Sequence, residues 1–338
     1  MERSELPTYR ELPVTNEAPP GSAWGLWGPD DELGTLNLLT DERTRSAAQA
    51  VRRGTVFPLN LPLELNPQLA WRQPPDHQIL HVGPEGPFPV GLEAGDRESS
   101  VKPFHYRDDS IDGLWLQGGS QWDGLAHVRH ATHGNFNGVP DADVHPGAGA
   151  RLGVDRWAKR AIVGRGVLID LERHMERAGR PYDPLSAHPF SVDDIRSAAA
   201  EQGVSPVVGD ILLLHFGWAN RYAKAEPEEQ RRMTNWETLR APGLEQSLEM
   251  VEYLWDLHVA AVGTDTVGVE VMNVSADYEF VLHEHLLPLL GMPIGELWAL
   301  DELAADCARD GVREFLFVSV PLNVRGGVGS PPQAVAIK

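Results

Sequence analysis

Cysteine is almost missing from this chain. Cys307 is the only one in 338 residues, so no intramolecular disulfide can form and a zinc site built from several thiolates is excluded. Positive charge is short as well: 29 Lys and Arg stand against 49 Asp and Glu, a formal net charge of -20. Nucleic-acid phosphates call for clustered Lys and Arg, so nucleic acid is excluded as the main partner. A surplus of one sign suits a soluble protein that repels its neighbours. No apolar run approaches the roughly 18 residues of a membrane span, so no membrane partner is expected. The opening MERSELPTYRELPVTNEAPP has no apolar core of the signal-peptide kind, and a cytoplasmic protein is the expectation. No G-x-G-x-x-G follows a first strand and no G-x-x-x-x-G-K-[ST] occurs, so nucleotide binding has no support. Internal repeats and low-complexity runs are absent too.

What is present reads as an ordinary globular composition, 42% hydrophobic and 23% charged, with enough apolar residues for a sizeable core. At this length one large domain or two smaller ones are open. Residues 1–23 are polar and proline-containing and read as an arm, able to cross to a neighbouring subunit. Thr40 is placed as the N-cap of an amphipathic helix over 41–53 that Gly54 ends. Residues 55–64, TVFPLNLPLE, alternate apolar residues with prolines in the manner of an edge strand. Residues 64–107 form a long stretch of Pro, Gly, His and charge, a loop of the size that usually serves function. Strands are expected at 164–173, 209–218, 260–271 and 313–324, and helices at 191–203, with Ser191 as N-cap, and at 243–259. A helix, a glycine turn, a short strand and a new helix are expected across 281–304. Fully apolar strands mixed with amphipathic helices give the α/β class. Their irregular alternation argues against a plain doubly wound sheet.

Chemistry concentrates in LQGGSQWDGLAHVRHATHGNFNG, residues 116–138. Asp123 and His127 are four apart and meet on one face of a helix or across a tight turn. A carboxylate beside an imidazole is half of a site for a hard or borderline divalent metal; by themselves the two are more often a surface ion pair or a core hydrogen bond. A second half-site lies far downstream in HEHLLPLLGMPIGE, which holds His283, His285 and Glu296. His283 and His285 cannot share a helix face, so one is the candidate ligand and the other points elsewhere. Glu296 alone reads as an acid at a helix start. His130 and His133 read as pocket-lining residues or as a solvated loop, and Trp122 and Phe136 as apolar pocket walls or as core. Asp265 in GTDT reads as a residue that orients a ligand or caps a turn, the structural role being preferred, and Asp108 and Asp109 as turn-forming residues ahead of the motif.

Taken jointly, these stretches resemble the metal-dependent cyclase family that includes bacterial kynurenine formamidase and isatin hydrolase. The family motif His-x-Gly-Thr-His-x-Asp-x-Pro-x-His falls on residues 117–127. Gly119, Ser120, Asp123 and His127 match it, while Gln117 and Gln121 replace the first two histidines and Leu125 the proline. WGPDDELGTLNLL, IVGRGVLIDLER, GDILLLHFGW and AVGTDTVGVEV, with the downstream His…GMPIGEL, are similar to a branch of that family carrying a TQWD form of the motif. The resemblance spans roughly residues 24–304.

The resemblance implies an α/β protein of cyclase-like swivelling β/β/α fold: a curved, barrel-like β-sheet with outer helices, as one catalytic domain over 24–338. It implies a homodimer or homotetramer, with the long loop 64–107 suited to the subunit interface. The implied activity is a metal-dependent hydrolase that cleaves an amide, cyclic amide or lactone or ester bond of a small molecule through metal-activated water. A lyase or cyclase using the same metal, and a non-catalytic binding protein with a degenerate site, are the alternatives. Carried over position by position, Asp123, His127, His283 and Glu296 hold the metal. Members with two ions use the two leading histidines and the Asp for the other ion. Gln117 and Gln121 stand there instead, and a neutral amide is a poor zinc ligand beside imidazole. One divalent ion, zinc or manganese, is therefore expected. His127, Glu296 and Gln121 are the catalytic candidates, and Gln117, Trp122, His130, His133 and Phe136 the substrate-binding ones.

Overall fold

IVGRGVLID, ILLLH and AVGT are apolar in nearly continuous runs, the pattern of strands covered on both faces. A computed structural model, which describes residues 5–65, 67, 69, 71–82, 106–274 and 280–338, places them side by side in the middle of one sheet. Its strands are β1 (Val56–Pro58), β2 (Gln121–Asp123), β3 (Ile162–Asp170), β4 (Ile211–His215), β5 (Ala261–Thr264), β6 (Ile294–Glu296), β7 (Glu314–Ser319), β8 (Gly329–Ser330) and β9 (Ala334–Ile337). Their spatial order is β1-β9-β7-β3-β4-β5-β6-β2-β8. The run β3-β4-β5-β6 is parallel, and the remaining pairs are antiparallel. The sheet is strongly curled, a half-barrel with helices packed on it, so the expected α/β class and curved sheet are what the chain adopts.

Alternate residues of the central strands feed two cores, as a period of two requires. Leu168, Leu213 and Ala261 belong to one, together with Trp122, Trp298, Phe315 and Phe317. Val167, Ile169, Leu212, Leu214, Val262 and Ile294 belong to the other, under the helices Val192–Gln202 and Leu248–Asp256. Each fully buried aliphatic side chain of this kind contributes about 1.5–3 kcal/mol.

Helix ends follow the capping residues. Thr40 Oγ1 accepts from Arg43 N at 3.3 Å, but the α-helix stops at Ala47 and tightens into a 3₁₀ turn over Ala48–Ala50, short of the expected 41–53, because the chain must turn into β1. Ser191 caps its helix, closed by Gly203 in the left-handed region. The helix expected at 243–259 begins only at Leu248: Gly243–Leu244 is spent on a short strand beside Pro189–Phe190, and Ser247 Oγ accepts from Met250 N at 3.2 Å. β1 is an edge strand, as its prolines suggest.

The described part of the arm lies along its own chain. Tyr9 N donates to Asp256 Oδ1 at 2.7 Å, and Trp255 Nε1 donates to the Pro7 carbonyl at 2.8 Å. Within the stretch read as a loop, Asp76–Val82 pairs antiparallel with Tyr106–Asp112. Asp108 and Asp109 therefore sit in an exposed strand rather than a turn. The loop reading fails there because a hairpin exposed on both faces carries no apolar alternation to betray it. Residues 83–105 of that stretch lie outside the described residues. Among the described residues no helix is long and apolar enough to cross a membrane.

Candidate metal centre and active site

The site begins with three residues, Gln121-Trp122-Asp123. As β2 they pair with β6 on one side and β8 on the other, so Gln121 and Asp123 share a face and Trp122 takes the opposite one. The register sets Glu296 opposite Gln121, which adds a second carboxylate to that face. Beyond Asp123 the chain turns sharply: His127 N donates to Gly124 O at 2.9 Å, and Gly124 N to Val328 O at 2.8 Å. A Cβ on Gly124 would stand 2.7 Å from the Val328 carbonyl oxygen, so the close approach requires glycine. This turn, not a helix, brings His127 Nε2 to 3.5 Å from Asp123 Oδ1.

The fourth member comes from the short helix Leu282–Leu286. His283 Nε2 lies 3.1 Å from Glu296 Oε1 and 3.7 Å from Asp123 Oδ2. Its Nδ1 lies 2.7 Å from Glu270 Oε2. His285 points elsewhere, with its ring stacked on Phe280 at 4.2 Å and edge-on to His130 at 5.8 Å. Asp123, Glu270 and Glu296 are buried, and His283 nearly so. Glu296 is heavily engaged: Oε1 accepts from Val269 N at 3.0 Å, and Oε2 from Gln121 Nε2 at 2.8 Å. Gln121 Nε2 also lies 3.3 Å from each Asp123 oxygen.

Electrostatics follow from burying three carboxylates around one imidazole. Burial, with the Asp123 charge beside it, pushes Glu296 up to about 7 against the pull of His283. Burial raises Asp123 too, but the pull of the His127 and His283 rings, with a hydrogen bond from His283, outweighs it and holds that carboxyl below its ordinary value. Burial disfavours charge on His283, yet Glu270, Asp123 and Glu296 together raise it well above the usual range. Asp123 pulls His127 up, while burial and the cations His283 and Arg72 win and leave it low.

The cluster also gathers enough donors for a cation. One ligand atom from each of Asp123, His283 and Glu296 lies within 4.8 Å of the others. Glu270 on Nδ1 aims Nε2 of His283 at the two carboxylates, the carboxylate–histidine arrangement that orients metal ligands. One imidazole and two carboxylates form a donor set that suits zinc or manganese. The residues present fit a divalent ion.

A cavity of about 200 Å³ opens onto this cluster, with Gln121, His127, Glu270, His283 and Glu296 in its wall. Trp71, Arg72 and Trp236 complete it beside apolar Leu239, Val267 and Met272. Several sequence candidates lie elsewhere. Trp122 is fully buried, edge-to-face with Trp298 at 4.7 Å, and donates from Nε1 to Ser319 Oγ at 2.9 Å; it is core, because its strand neighbours take the site face. Phe136 is likewise buried, against Gly291. His133 is exposed, and His130 closes its own loop by accepting from Thr132 N and His133 N at 3.1 and 3.2 Å. Gln117 stands behind His127, with Nε2 at 3.4 Å from Nδ1, outside the residues that line the cavity.

Glu270, Arg72, Trp71 and Trp236 escaped the sequence reading. Glu270 alone left a signal, an acid inside the apolar run VGVEV. A second polar group, His215 with Asp265 and Asp301, sits at the strand ends. Asp265 spends both oxygens on Phe216 N and Gly217 N, at 2.6 and 2.8 Å, and His215 bridges Asp170 and Asp301 at 3.0 and 3.3 Å. Those bonds tie Asp265 to the turn Phe216–Gly217.

Fold and site together define an α/β protein whose curled sheet carries a buried Asp–His–Glu centre at strand ends. The Cyclase family model matches residues 59–271, and the chain belongs to that family. It is similar to a novel cyclase of known crystal structure, with 30% identity and a TM-score of 0.78, over 94% of this chain and 99% of that one. Isatin hydrolase A from Ralstonia solanacearum shares the fold at 18% identity and a TM-score of 0.57, over 88% of this chain and 97% of its own. An isatin hydrolase bound to the product analogue thioisatinate does so at 17% identity and 0.55, over 83% and 91%. No curated protein matches the chain significantly.

Proposed function

We propose that this chain is a metal-dependent hydrolase that opens an amide, cyclic amide or lactone bond of a small molecule. The observation that carries the reading is the convergence of Asp123, His283 and Glu296, with Glu270 behind His283, on one cavity. The fold shared with isatin hydrolases supports it. A single divalent ion, zinc or manganese, held by those three residues supplies Lewis acidity and brings the pKa of water toward about 7.

The chain's own groups do the rest. Glu296 is committed through both oxygens and serves as a ligand rather than a proton carrier. His127 reaches the same cavity and is held neutral, so its ring takes the proton from water and returns it to the leaving nitrogen or oxygen. Gln117 faces Nδ1 of that ring; with its amide oxygen turned to that nitrogen it would keep the proton there and leave Nε2 free to accept. Gln121 ties Asp123 to Glu296 and fixes both. Trp71 and Trp236 supply flat walls for a cyclic substrate. The exposed hairpin Asp76–Val82 with Tyr106–Asp112, which bares Ile79 and Ile111, suits contact with a second copy in a homodimer or homotetramer.

The test is the metal content of the purified protein by plasma mass spectrometry, beside Asp123→Ala and His283→Ala, followed by amide and lactone substrates. About one zinc or manganese per chain, lost in both variants, with turnover that follows metal, is the expected result. A parent protein that takes up neither metal after incubation would overturn the reading and favour a binding protein.

A further inference from the structure

The parallel strands β3, β4 and β5 stop side by side, and the chain is polar where they stop. Asp170 closes β3 and His215 closes β4, paired in register, and Asp265 follows β5 directly. Asp301 joins them from the start of the helix Asp301–Asp310. Ligands of parallel α/β sheets bind in the crevice outside such carboxyl ends. Here the crevice is a cavity of about 450 Å³, with Asp170, Glu172, His215, Asn220 and Asp301 in its wall. None of the described residues that line it lines the Asp123 cavity. The ring of His215 is set as a ligand ring is set. Its Nδ1 lies 3.0 Å from Asp170 Oδ1, and that oxygen is itself fixed by accepting from Arg173 N at 3.0 Å. Its Nε2 faces three carboxylates: Asp301 Oδ1 at 3.3 Å, Asp265 Oδ2 at 3.7 Å and Glu172 Oε2 at 4.0 Å. The Asp123 centre has the same plan, with Glu270 on Nδ1 of His283 and Glu296 and Asp123 facing its Nε2 at 3.1 and 3.7 Å.

We propose that His215, Asp265 and Asp301, with Glu172 beside them, form a second divalent-cation site, separate from the Asp123 centre and suited to manganese. One ligand atom from each of His215, Asp265 and Asp301 lies within 4.8 Å of the others. A lone N–H on Nε2 points at one acceptor at a time, whereas an ion set among these groups meets them all. The backbone bonds of Asp265 do not bar ligation. A carboxylate offers about four lone pairs, and Phe216 N and Gly217 N take two of them. An imidazole beside three carboxylates is a donor set rich in oxygen, which favours manganese over zinc. Ligation requires the neutral ring, so the ion displaces the proton from Nε2. This site is the weaker of the two. The side chains of Asp301 and Glu172 are 28% and 34% exposed, against 0% and 5% for Asp123 and Glu296, and water weakens the pull of a charge on an ion. It therefore empties on purification and fills when manganese is added. Once filled, it ties the ends of three strands to the helix Asp301–Asp310.

The test is a manganese titration of the metal-stripped, full-length protein. Binding is read from the electron paramagnetic resonance of the free ion, which is lost when the ion is bound, and thermal melting is measured for every variant. The parent is expected to take up two ions per chain in two steps. Asp123→Ala is expected to keep the weaker step alone, Asp301→Asn the stronger step alone, and the double variant neither. Glu172→Gln, a change at a partly exposed side chain, is expected to keep the fold and weaken the second step by about tenfold. A parent that saturates at one ion would overturn the proposal. So would a folded Asp123→Ala that binds none, or a second step that both Asp301→Asn and Glu172→Gln leave unchanged. A weaker step that stands while the stronger one is missing supports this site and removes the metal from the Asp123 centre alone.

Discussion

Glu270 and His215 show how much one buried side chain can decide. Glu270 touches the candidate ion only through His283, yet it fixes which ring nitrogen faces Asp123 and Glu296. Glu270→Gln is expected to keep the fold and weaken zinc binding by about 10–100-fold, read by competition with a chelator; unchanged affinity would make Glu270 a bystander. His215 is nearly buried among carboxylates. Burial alone would discharge it, but Asp265, Asp170 and Asp301 raise its pKa well above the ordinary 6.5. A base raised on folding contributes its stability in full below the unfolded value, and that contribution is lost as pH rises through the folded value. His215→Gln is therefore expected to cost most below pH 6.5, about 3 kcal/mol, with the gap to the parent narrowing in alkali. Urea melts of metal-stripped protein across pH measure it, and a gap that does not change with pH would assign the cost to packing.

At the scale of elements, the site depends on two three-residue strands. β2 and β6 are short, and each is held by neighbours on both sides. Gly295 lies in β6 beside Glu296, and a Cβ there would meet the Trp298 ring at 2.4 Å. Trp298 cannot retreat easily, since it packs on Trp122 and Phe317 and donates from Nε1 to the Gln121 carbonyl at 2.9 Å. Gly295→Ala is expected to destabilise by about 1–3 kcal/mol and to displace Glu296. Metal affinity should fall with stability in this variant. A protein that melts earlier but binds metal as before would show that β6 can shift without moving its carboxylate.

For the whole molecule, a buried cluster with three carboxylates makes folding and cation binding one equilibrium. A ligand that binds only the folded state stabilises it by about 2.7 kcal/mol at a hundredfold excess over Kd. The melting temperature of metal-stripped protein is expected to climb with added zinc or manganese, by about 1.4 kcal/mol of stability per tenfold concentration once the site is saturated. Asp123→Ala should abolish that climb at the low concentrations that fill its own site alone. A rise that survives there would place the first ion elsewhere, with His215, Asp265 and Asp301 the next group to remove.

The sequence by itself determined the α/β class, the buried central strands and the Asp123 half-site, because continuous apolar runs, caps and a dense polar motif act over a few residues of chain. It offered Glu296 and the two histidines of HEHLLPLLGMPIGE as a second half-site, which only the resemblance joined to the first. Strand alternation in Gln-Trp-Asp already separates Gln121 and Asp123 from Trp122, so the core position of Trp122 was legible in principle. Tertiary structure alone decided between His283 and His285, put Phe136 in the core, left His133 in solvent, and brought Glu270, Arg72, Trp71 and Trp236 to the cavity. Arg72 and Glu296 line one cavity although more than two hundred residues separate them, and no local pattern encodes a meeting over that length. Such contacts are set where the sheet curls and its strand ends converge, by a packing that the whole chain makes together.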